Sequence, residues 1–245
     1  MIRAEKDPFW EHVLYYFFRW LIRKNFYAVY IDGAEHLREL SRIKPVIGIA
    51  NHTNWWDGVV LLLMTRIQRK KEFYCMMEEK QMKHYPFFRY LGAFSVNLES
   101  AVRSAAAVKY ALNLLHQAKT LIWIFPQGEM VKATDPIKVR PGVDFLAKKS
   151  PNAMVLPAAF RYQFWREQKP CMYIRIGEPY SALENSDEKM EQTLIRLTEE
   201  LDADLKSDAA QQYEHLLTPA LSINKYWELF FRFVRGRWLG FKSTN

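Results

Sequence analysis

The stretch IANHTNWWDGVVLLL, residues 49–63, places a polar segment between two apolar runs. The apolar residues that precede Asn51 are typical of a buried strand, and the apolar run that begins at Gly58 is typical of a helix. His52 and Asp57 lie at the junction between them. Because ligands of open α/β sheets bind beyond the carboxyl ends of the strands, a histidine at this point is accessible to a substrate. The stretch therefore predicts an α/β fold with a functional site at this strand end.

The rest of the chain continues the alternation of strand and helix patterns. Seven apolar segments are predicted as strands: residues 26–32, 45–51, 72–77, 93–98, 120–125, 153–160 and 171–177. Helices are predicted among them at residues 58–68, 79–91, 101–118, 141–149 and 187–206. Such alternation predicts a mostly parallel sheet that is covered by helices on both sides. We expect three parts of the chain: an amphipathic helix within residues 1–25, an α/β domain at 26–207, and a basic, aromatic helical segment at 208–245.

Both ends of the chain combine aromatic and basic residues. In the first helix the apolar positions recur at three- and four-residue spacing: Phe9, Val13, Tyr16, Phe17, Trp20 and Leu21. Arg19, Arg23 and Lys24 lie on or near the opposite side of that helix. Residues 224–242 hold five basic residues against one acidic residue, a local net charge of +4, among large aromatic residues. This composition suits the headgroup region of a membrane, although aromatic stripes that pack on the core explain either helix equally well. The presence of two such segments favours a membrane surface.

The overall composition narrows the class of partner. Lys and Arg number 35 against 27 Asp and Glu, a net charge of +8, which favours phosphate esters, acidic lipids or nucleic acid as partners. Cys75 and Cys171 have no metal-ligand spacing, so neither a disulfide framework nor a zinc site is predicted, and a reducing compartment fits best. The longest uninterrupted apolar run near either end, residues 13–18, is far shorter than the roughly 20 residues that a spanning helix needs. We therefore expect the protein to lie on a membrane and not to cross it.

His52 and Asp57 are the candidate catalytic residues. A neutral histidine accepts a proton from a hydroxyl, and a carboxylate on its other ring nitrogen fixes the tautomer and stabilises the imidazolium. The spacing alone fits a helix-capping pair at least as well. A second segment, IWIFPQGEM at residues 122–130, forms a tight turn after another strand. That turn either aims backbone N–H groups and Gln127 at a ligand beside His52 or is an ordinary connection.

In their order and spacing these segments resemble the PlsC family of glycerolipid acyltransferases over roughly residues 30–180. Asn51-His52 to Asp57 matches the NHxxxxD block of that family, residues 92–97 stand at its second block, and residues 125–129 stand at FPEGT. Residues 32–37 resemble the GxENL-type stretch that precedes the first block, and the strand with Pro157 resembles the fourth block.

The resemblance implies an O-acyltransferase in which His52 is the general base and Asp57 orients it. The donor is acyl-CoA or acyl carrier protein, the acceptor is a lipid hydroxyl, and no metal or other cofactor is required. The expected location is the cytoplasmic face of an anionic membrane, as a peripheral protein. The candidate substrate-binding residues are Asn51, Gln127, Gly128, Glu129, Arg103 and Arg140.

The departures from the family pattern concern the acceptor. Leu98 occupies the place of an arginine in the second block, and Gln127 and Met130 replace the Glu and the Arg of EGTR. Each cation that is lost removes a charge-assisted hydrogen bond to a phosphate, worth roughly 1.5–3 kcal/mol. We therefore expect an acceptor less acidic than lysophosphatidate, such as a glycolipid, a glycosylated isoprenoid or another lyso-lipid. The alternative is that the acceptor phosphate is bound by another arginine in place of the missing ones: Arg103, Arg140 or Arg161.

Three other readings compete with this one. An inert lipid-binding protein could keep the same fold, although intact His52 and Asp57 argue against it. A serine hydrolase would need a GxSxG elbow, which the sequence lacks. A nucleic-acid binder would explain a pI near 9.3 and the basic aromatic segments, but no nucleic-acid module is recognised.

Overall fold

The computed structural model describes residues 1–40, 42–68, 70–219, 227 and 230–233. Within these residues the strands are β1 (Val29–Asp32), β2 (Val46–Ala50), β3 (Glu72–Glu78), β4 (Ala93–Val96), β5 (Thr120–Ile124), β6 (Met154–Gln163), β7 (Cys171–Ile176), β8 (Tyr180–Ser181) and β9 (Glu214–Leu217). The α-helices are α1 (Pro8–Asn25), α2 (Ala34–Arg38), α3 (Trp56–Met64), α4 (Glu79–His84), α5 (Ala101–Leu115), α6 (Val143–Lys148) and α7 (Asp187–Lys206). Short 3₁₀ helices cover Pro86–Leu91, Ala182–Glu184 and Ala209–Gln212.

All described strands belong to one sheet with the order β4-β3-β5-β2-β6-β7-β1-β9, and β8 pairs with β6. The first five strands in this order are parallel to one another. β7 is antiparallel to β6 and parallel to β1, and β9 is antiparallel to β1. The carboxyl ends of β5, β2 and β6 therefore lie side by side at one edge of the sheet.

The central strands are buried on both faces. Every residue of β2 and β5 is buried, as expected for parallel strands that helices cover on both sides. On one face the core includes residues of α1 and α3, and on the other it includes residues of α5, α6 and α7. The predicted fold class, a mostly parallel α/β sheet covered on both sides, is confirmed.

Two boundaries differ from the sequence expectation. The single helix predicted over 79–91 is interrupted: α4 ends at His84 and a 3₁₀ helix begins at Pro86, because proline lacks an amide N–H and ends a preceding helix. The sheet also extends past the domain boundary predicted at residue 207, since β9 pairs with β1. The predicted basic segment 224–242 lies outside the described residues, except for residues 227 and 230–233, which are helical.

α1 attaches to the core by one face only. Its N-cap, Asp7, accepts hydrogen bonds from the amides of Phe9 and Trp10, and Phe18 and Ile22 are buried. Most of the predicted stripe faces outward: Phe9, Val13, Tyr16, Phe17 and Trp20 are exposed, as is the neighbouring Trp10. Leu21, the last residue of the predicted stripe, packs against the core. Among the described residues, none of the helices has the length and apolar character that crossing a bilayer requires.

Candidate functional site

His52 and Asp57 form a hydrogen-bonded pair at the carboxyl end of β2. Nδ1 of His52 lies 2.9 Å from Oδ2 of Asp57. The side chain of Asp57 is fully buried, whereas that of His52 is 20% exposed. With Nδ1 directed at the carboxylate, the neutral imidazole carries its proton there and leaves Nε2 as the basic nitrogen. The predicted catalytic residues therefore have the geometry of a histidine base that a carboxylate orients.

The loop between β2 and α3 holds the Asp57 carboxylate in place. Oδ2 accepts hydrogen bonds from the amides of Thr53 and Asn54, at 2.7 and 2.8 Å. Asp57 lies in the first turn of α3, where a negative charge is favoured by the helix dipole. Both amides precede α3, and the helix has no side-chain cap hydrogen bond, so the helix-capping pair that the spacing suggested as an alternative is not formed. The Asp57 carboxylate orients His52.

Tyr162, at the end of β6, is a site residue that the sequence did not indicate. Its hydroxyl donates to Oδ1 of Asp57. Burial raises the pKa of Tyr162 well above its ordinary value, and the Asp57 carboxylate raises it further, so the hydroxyl remains a donor at neutral pH. A buried carboxylate without partners is very unfavourable, and here four donors satisfy it. Only the pairing of β2 with β6 reveals this contact.

The turn after β5 contacts the backbone of His52. The amide of His52 donates to Oε1 of Gln127 at 2.7 Å, and the amide of Val131 donates to the carbonyl of His52 at 3.0 Å. Gly128 adopts a φ of +77°, which a glycine tolerates and which tightens the turn. The side chain of Gln127 is buried, and its Oε1 positions the backbone of His52; that Gln127 binds a ligand stays a prediction.

Asn51 makes structural contacts with the neighbouring strand β6. Its side chain is buried, its Oδ1 accepts from the amide of Phe160 at 2.7 Å, and its Nδ2 donates to the carbonyl of Phe160 at 3.2 Å. Both polar groups of the side chain are therefore used in joining the end of β2 to β6. That Asn51 also contacts a substrate stays a prediction.

The ring of Phe125 stacks on the imidazole of His52, with ring centroids 4.1 Å apart and the planes inclined by 15°. The stacking covers one face of the imidazole and, together with Asp57, restricts its rotation. Phe125 is the first residue after β5, next to β2 in the sheet. Three adjacent strand ends therefore determine the position of the histidine.

His52 faces a cavity of about 630 Å³ whose wall is mainly apolar. Its size falls in the range of small-molecule sites. Gly128, Glu129 and Arg140 lie in the wall, and Arg140 Nη2 is 2.5 Å from Glu129 Oε1. Cys75 also lines the cavity, but burial raises the pKa of its thiol to about 12, so it is not a thiolate nucleophile at neutral pH.

The other candidate arginines lie outside this cavity. Arg103 is exposed on α5 and is not part of the wall, whereas Leu98 is. Arg161 forms a bidentate pair with Asp202, at 2.7 and 2.9 Å, on the side of α7. Of the candidate arginines, Arg140 is the one that lines the cavity with His52, and a contact of Arg103 with the substrate stays a prediction.

No group of three or more His, Cys, Asp or Glu side chains within the described part of the chain is placed to hold a metal ion. The chemically informative features of the cavity are its apolar wall and the His52–Asp57 pair. The arrangement can bind an apolar chain and accept a proton from a group beside it.

Comparison with known proteins adds evidence independent of this geometry. The Acyltransferase family model matches residues 28–161, which include His52, Asp57 and the turn at Gln127. A 1-acyl-sn-glycerol-3-phosphate acyltransferase of Streptococcus pneumoniae (strain ATCC BAA-255 / R6) is 30% identical over 105 residues, which span 40% of this chain and 38% of that protein. The chain thus matches well under half the length of that relative.

A solved structure has a similar fold. The crystal structure of the 1-acyl-sn-glycerophosphate (LPA) acyltransferase PlsC from Thermotoga maritima matches with a TM-score of 0.58 and 18% sequence identity. The match covers 79% of this chain and 80% of that one. At this level of identity the likeness concerns the fold.

Proposed function

Since the chain belongs to the Acyltransferase family, as its motifs predict, we propose that it transfers a fatty acyl group from a thioester to a hydroxyl of a lipid acceptor. The thioester is acyl-CoA or acyl carrier protein. The observation that supports this proposal most directly is the His52–Asp57 pair, because its imidazole opens on an apolar cavity large enough for a lipid chain.

The proposed reaction uses no protein nucleophile. Nε2 of His52 accepts the proton of the acceptor hydroxyl while the hydroxyl oxygen attacks the carbonyl carbon of the thioester. The tetrahedral intermediate collapses, the carbon–sulfur bond breaks, and the imidazolium returns its proton to the leaving thiolate. The products are an ester and a free thiol, and His52 is regenerated as the neutral base.

Asp57 and its partners prepare the histidine for this step. The carboxylate stabilises the imidazolium that forms on proton transfer, and the stacked Phe125 keeps the ring in position. Tyr162, Thr53 and Asn54 donate to Asp57 and hold the carboxylate itself. The base is therefore held in place before a substrate arrives, which lowers the entropic cost of reaching the transition state.

The proposed acceptor carries little negative charge. Among the described residues, Arg140 is the one arginine in the wall of the cavity, and Glu129 already neutralises it. A phosphate in this position would compete with the Glu129 carboxylate for the same guanidinium. A glycolipid, a glycosylated isoprenoid or a weakly acidic lyso-lipid fits this environment better than lysophosphatidate does.

The proposed location is the surface of an anionic membrane on its cytoplasmic face. The exposed stripe of α1 supports this location, because aromatic side chains such as Trp20 and Phe17 favour the headgroup region. Arg23 and Lys24, in the last turn of the same helix, add attraction to acidic lipids.

The alternative is a non-catalytic lipid-binding protein with the same fold, and replacing His52 with alanine separates the two. Loss of a general base lowers acyl transfer by about 10²- to 10⁴-fold. We expect purified His52→Ala to lose transfer to this extent while vesicle binding is retained, and His116→Ala, an exposed histidine at the end of α5, to behave as wild type. A radiolabelled acyl-CoA assay with a panel of acceptors measures transfer by each protein, and co-sedimentation with vesicles measures binding.

Two outcomes of that assay would contradict the proposal. Absence of transfer by the wild-type protein to every acceptor, with vesicle binding intact, would support the binding protein. A strong preference for lysophosphatidate would show that the acceptor is the acidic lipid after all and would overturn the acceptor assignment.

A further inference from the structure

A second cavity of about 240 Å³ lies behind the loop that carries His52. Its wall shares no residue with the wall of the cavity that His52 faces. Asn51 and Thr53 line the second cavity, whereas His52, between them, lines the first. Gln127 lines the second cavity, and its neighbour Gly128 lines the first. The end of β2 and the turn after β5 therefore form a partition between the two cavities.

Hydrogen bonds and an ion pair hold the walls of the second cavity. The chain that follows the turn contributes residues between 131 and 137, and the amide of Val131 ties it to the carbonyl of His52. Another part of the wall comes from β6 and α7, which the bidentate pair of Arg161 and Asp202 joins. The shape of the cavity is therefore fixed by contacts between segments that are distant in the sequence.

Two polar atoms of this wall have no hydrogen-bond partner among the described residues: Nε2 of Gln127 and Oγ1 of Thr198. Both side chains are buried, with exposed fractions of 4% and 5%. The amide of His52 is a donor, so the Gln127 atom that it contacts is the oxygen, and the unpartnered atom is the donor Nε2. A buried polar group without a partner is unfavourable, so an occupant that supplies partners is bound favourably.

These two atoms require an occupant with hydrogen-bonding groups of its own. Nε2 of Gln127 only donates and so needs an acceptor, whereas the Thr198 hydroxyl both donates and accepts. A hydroxyl group of the occupant serves either atom, because it also donates and accepts. The N–H groups of Gln127 disfavour a cation, since they present positively polarised hydrogens to it.

The charges of the wall favour a neutral occupant over an anion. The guanidinium of Arg161 already binds both carboxylate oxygens of Asp202. The other charged residues of the wall are exposed and comprise one cation and two anions: Lys132, Asp135 and Glu199. The wall therefore carries a net charge of −1, which opposes the binding of an anion such as phosphate.

Apolar side chains complete the wall, and the volume of the cavity suits a small molecule. These side chains are Val131, Ala133, Pro136, Ile137 and Ile195. A water molecule occupies about 30 Å³ of the liquid, so the cavity has room for an occupant several times that size. A sugar or a polyol combines hydroxyl groups with apolar C–H faces, and it therefore matches both kinds of surface.

We propose that the second cavity binds a neutral polyhydroxyl group, a sugar or a polyol, through Nε2 of Gln127 and Oγ1 of Thr198. The site is distinct from the cavity that His52 faces, and the proposal does not depend on the proposed function. The bound hydroxyl and the amide of His52 contact the two ends of one side-chain amide, that of Gln127. Occupation of the site therefore restrains the side chain that holds the backbone of His52.

An NMR titration of the full chain with ¹³C-labelled isoleucine methyl groups tests the proposal, because isoleucines line both cavities. Ile137 and Ile195 report on the second cavity, and Ile124 reports on the first. The ligands are methyl glucoside, glycerol and inorganic phosphate. We expect at least one neutral ligand to shift Ile137 and Ile195 saturably, with a dissociation constant of about 1–10 mM, and to leave Ile124 unchanged.

Thr198→Val separates binding from folding. Its hydroxyl has no partner among the described residues, so its removal should not lower the melting temperature, whereas the loss of one hydrogen bond should weaken ligand binding about tenfold. Gln127→Glu keeps an acceptor for the amide of His52 but loses the donor, and it should weaken binding similarly. The control is Thr193→Val on the same helix, whose hydroxyl donates to the carbonyl of Lys189 outside the wall. This variant should bind as the wild type does.

Three results would overturn the proposal. One is the absence of saturable shifts at Ile137 and Ile195 with either neutral ligand, which would show that the cavity holds water only. Another is tighter binding of phosphate than of the neutral ligands, which would assign the site to an anion. The third is wild-type affinity in Thr198→Val, which would place the ligand elsewhere. None of these measurements involves acyl transfer, so the proposed function stands or falls separately.

Discussion

Asp57 accepts four hydrogen bonds, and their origins differ. His52, Thr53 and Asn54 lie within five residues of it along the chain, whereas Tyr162 is 105 residues away. The three local donors all contact Oδ2, and Tyr162 contacts Oδ1. The distant tyrosine therefore satisfies the carboxylate oxygen that the local loop does not reach.

Replacing Tyr162 with phenylalanine tests this contact. A hydrogen bond to a charged group contributes about 1.5–3 kcal/mol. We expect the free energy of unfolding to fall by about this amount and kcat to fall roughly tenfold at constant KM. The loss of kcat is expected because a carboxylate with one donor fewer is held less firmly and orients the His52 imidazole less well.

The matched control is Tyr180→Phe. Its hydroxyl donates to Oδ1 of Asn185 at 2.9 Å, outside the cavity wall. This variant should lose stability without any change in kcat. An unchanged kcat for Tyr162→Phe would show that the tyrosine has only a structural role.

At the scale of secondary-structure elements, polar contacts join the ends of three adjacent strands. Asn51 connects β2 to β6 through Phe160, and Gln127 connects the turn after β5 to the amide of His52. α1 contributes differently, because its core contact is made by Phe18 and Ile22 while its aromatic stripe remains exposed. The strands thus position the His52 imidazole, and we propose that the exposed stripe of α1 contacts the lipid surface.

Replacing Phe17 and Trp20 together with serine tests the role of α1. Both side chains are about half exposed, so the fold should tolerate the change. Full burial of one such side chain is worth about 1.5–3 kcal/mol, and we expect binding to phosphatidylglycerol vesicles to weaken by at least about tenfold. Co-sedimentation with vesicles measures this, and added salt should weaken wild-type binding through screening.

Leu183→Ser is the control for that variant. Leu183 is 73% exposed and follows β8, which pairs with the beginning of β6 at the opposite edge of the sheet from His52. It should bind vesicles as the wild type does. Equal binding by the Phe17/Trp20 variant, or competition of vesicle binding by oligonucleotides, would contradict the membrane assignment of α1.

At the scale of the whole molecule, the two edges of the sheet have different roles. The carboxyl edge carries His52 and the cavity, and the amino edge carries a buried lysine. Nζ of Lys71 donates to the carbonyls of Lys44 and Ala118, in the segments that lead into β2 and β5. Burial lowers the pKa of Lys71 from 10.5 to about 8. The charge of this lysine is therefore linked to the stability of the fold.

The sign of the effect follows from proton binding. Between pH 8 and 10.5 the unfolded chain binds more protons at Lys71 than the folded protein does, so the free energy of unfolding should rise with pH. Urea denaturation between pH 7.5 and 9.5 measures this below the range in which tyrosines ionise. Lys71→Met should abolish the rise and Lys70→Met, at an exposed neighbour, should retain it. A wild-type stability independent of pH in this window would contradict the assignment.

Short-range patterns in the sequence determined much of the fold of this protein and part of its candidate site. Strand and helix periodicity depends on neighbouring residues, and so the parallel sheet, the strand end at His52 and the amphipathic character of α1 could be predicted. The pairing of His52 with Asp57 was predictable for the same reason, since a spacing of five residues brings both side chains to one loop.

The tertiary structure alone decided the contacts between distant segments. The strand order places Tyr162 against Asp57, brings Gln127 and Asn51 to backbone groups, and leaves Arg103 outside the cavity wall. These contacts depend on which strands become neighbours after folding, and no local pattern of residues encodes the distance between side chains a hundred positions apart.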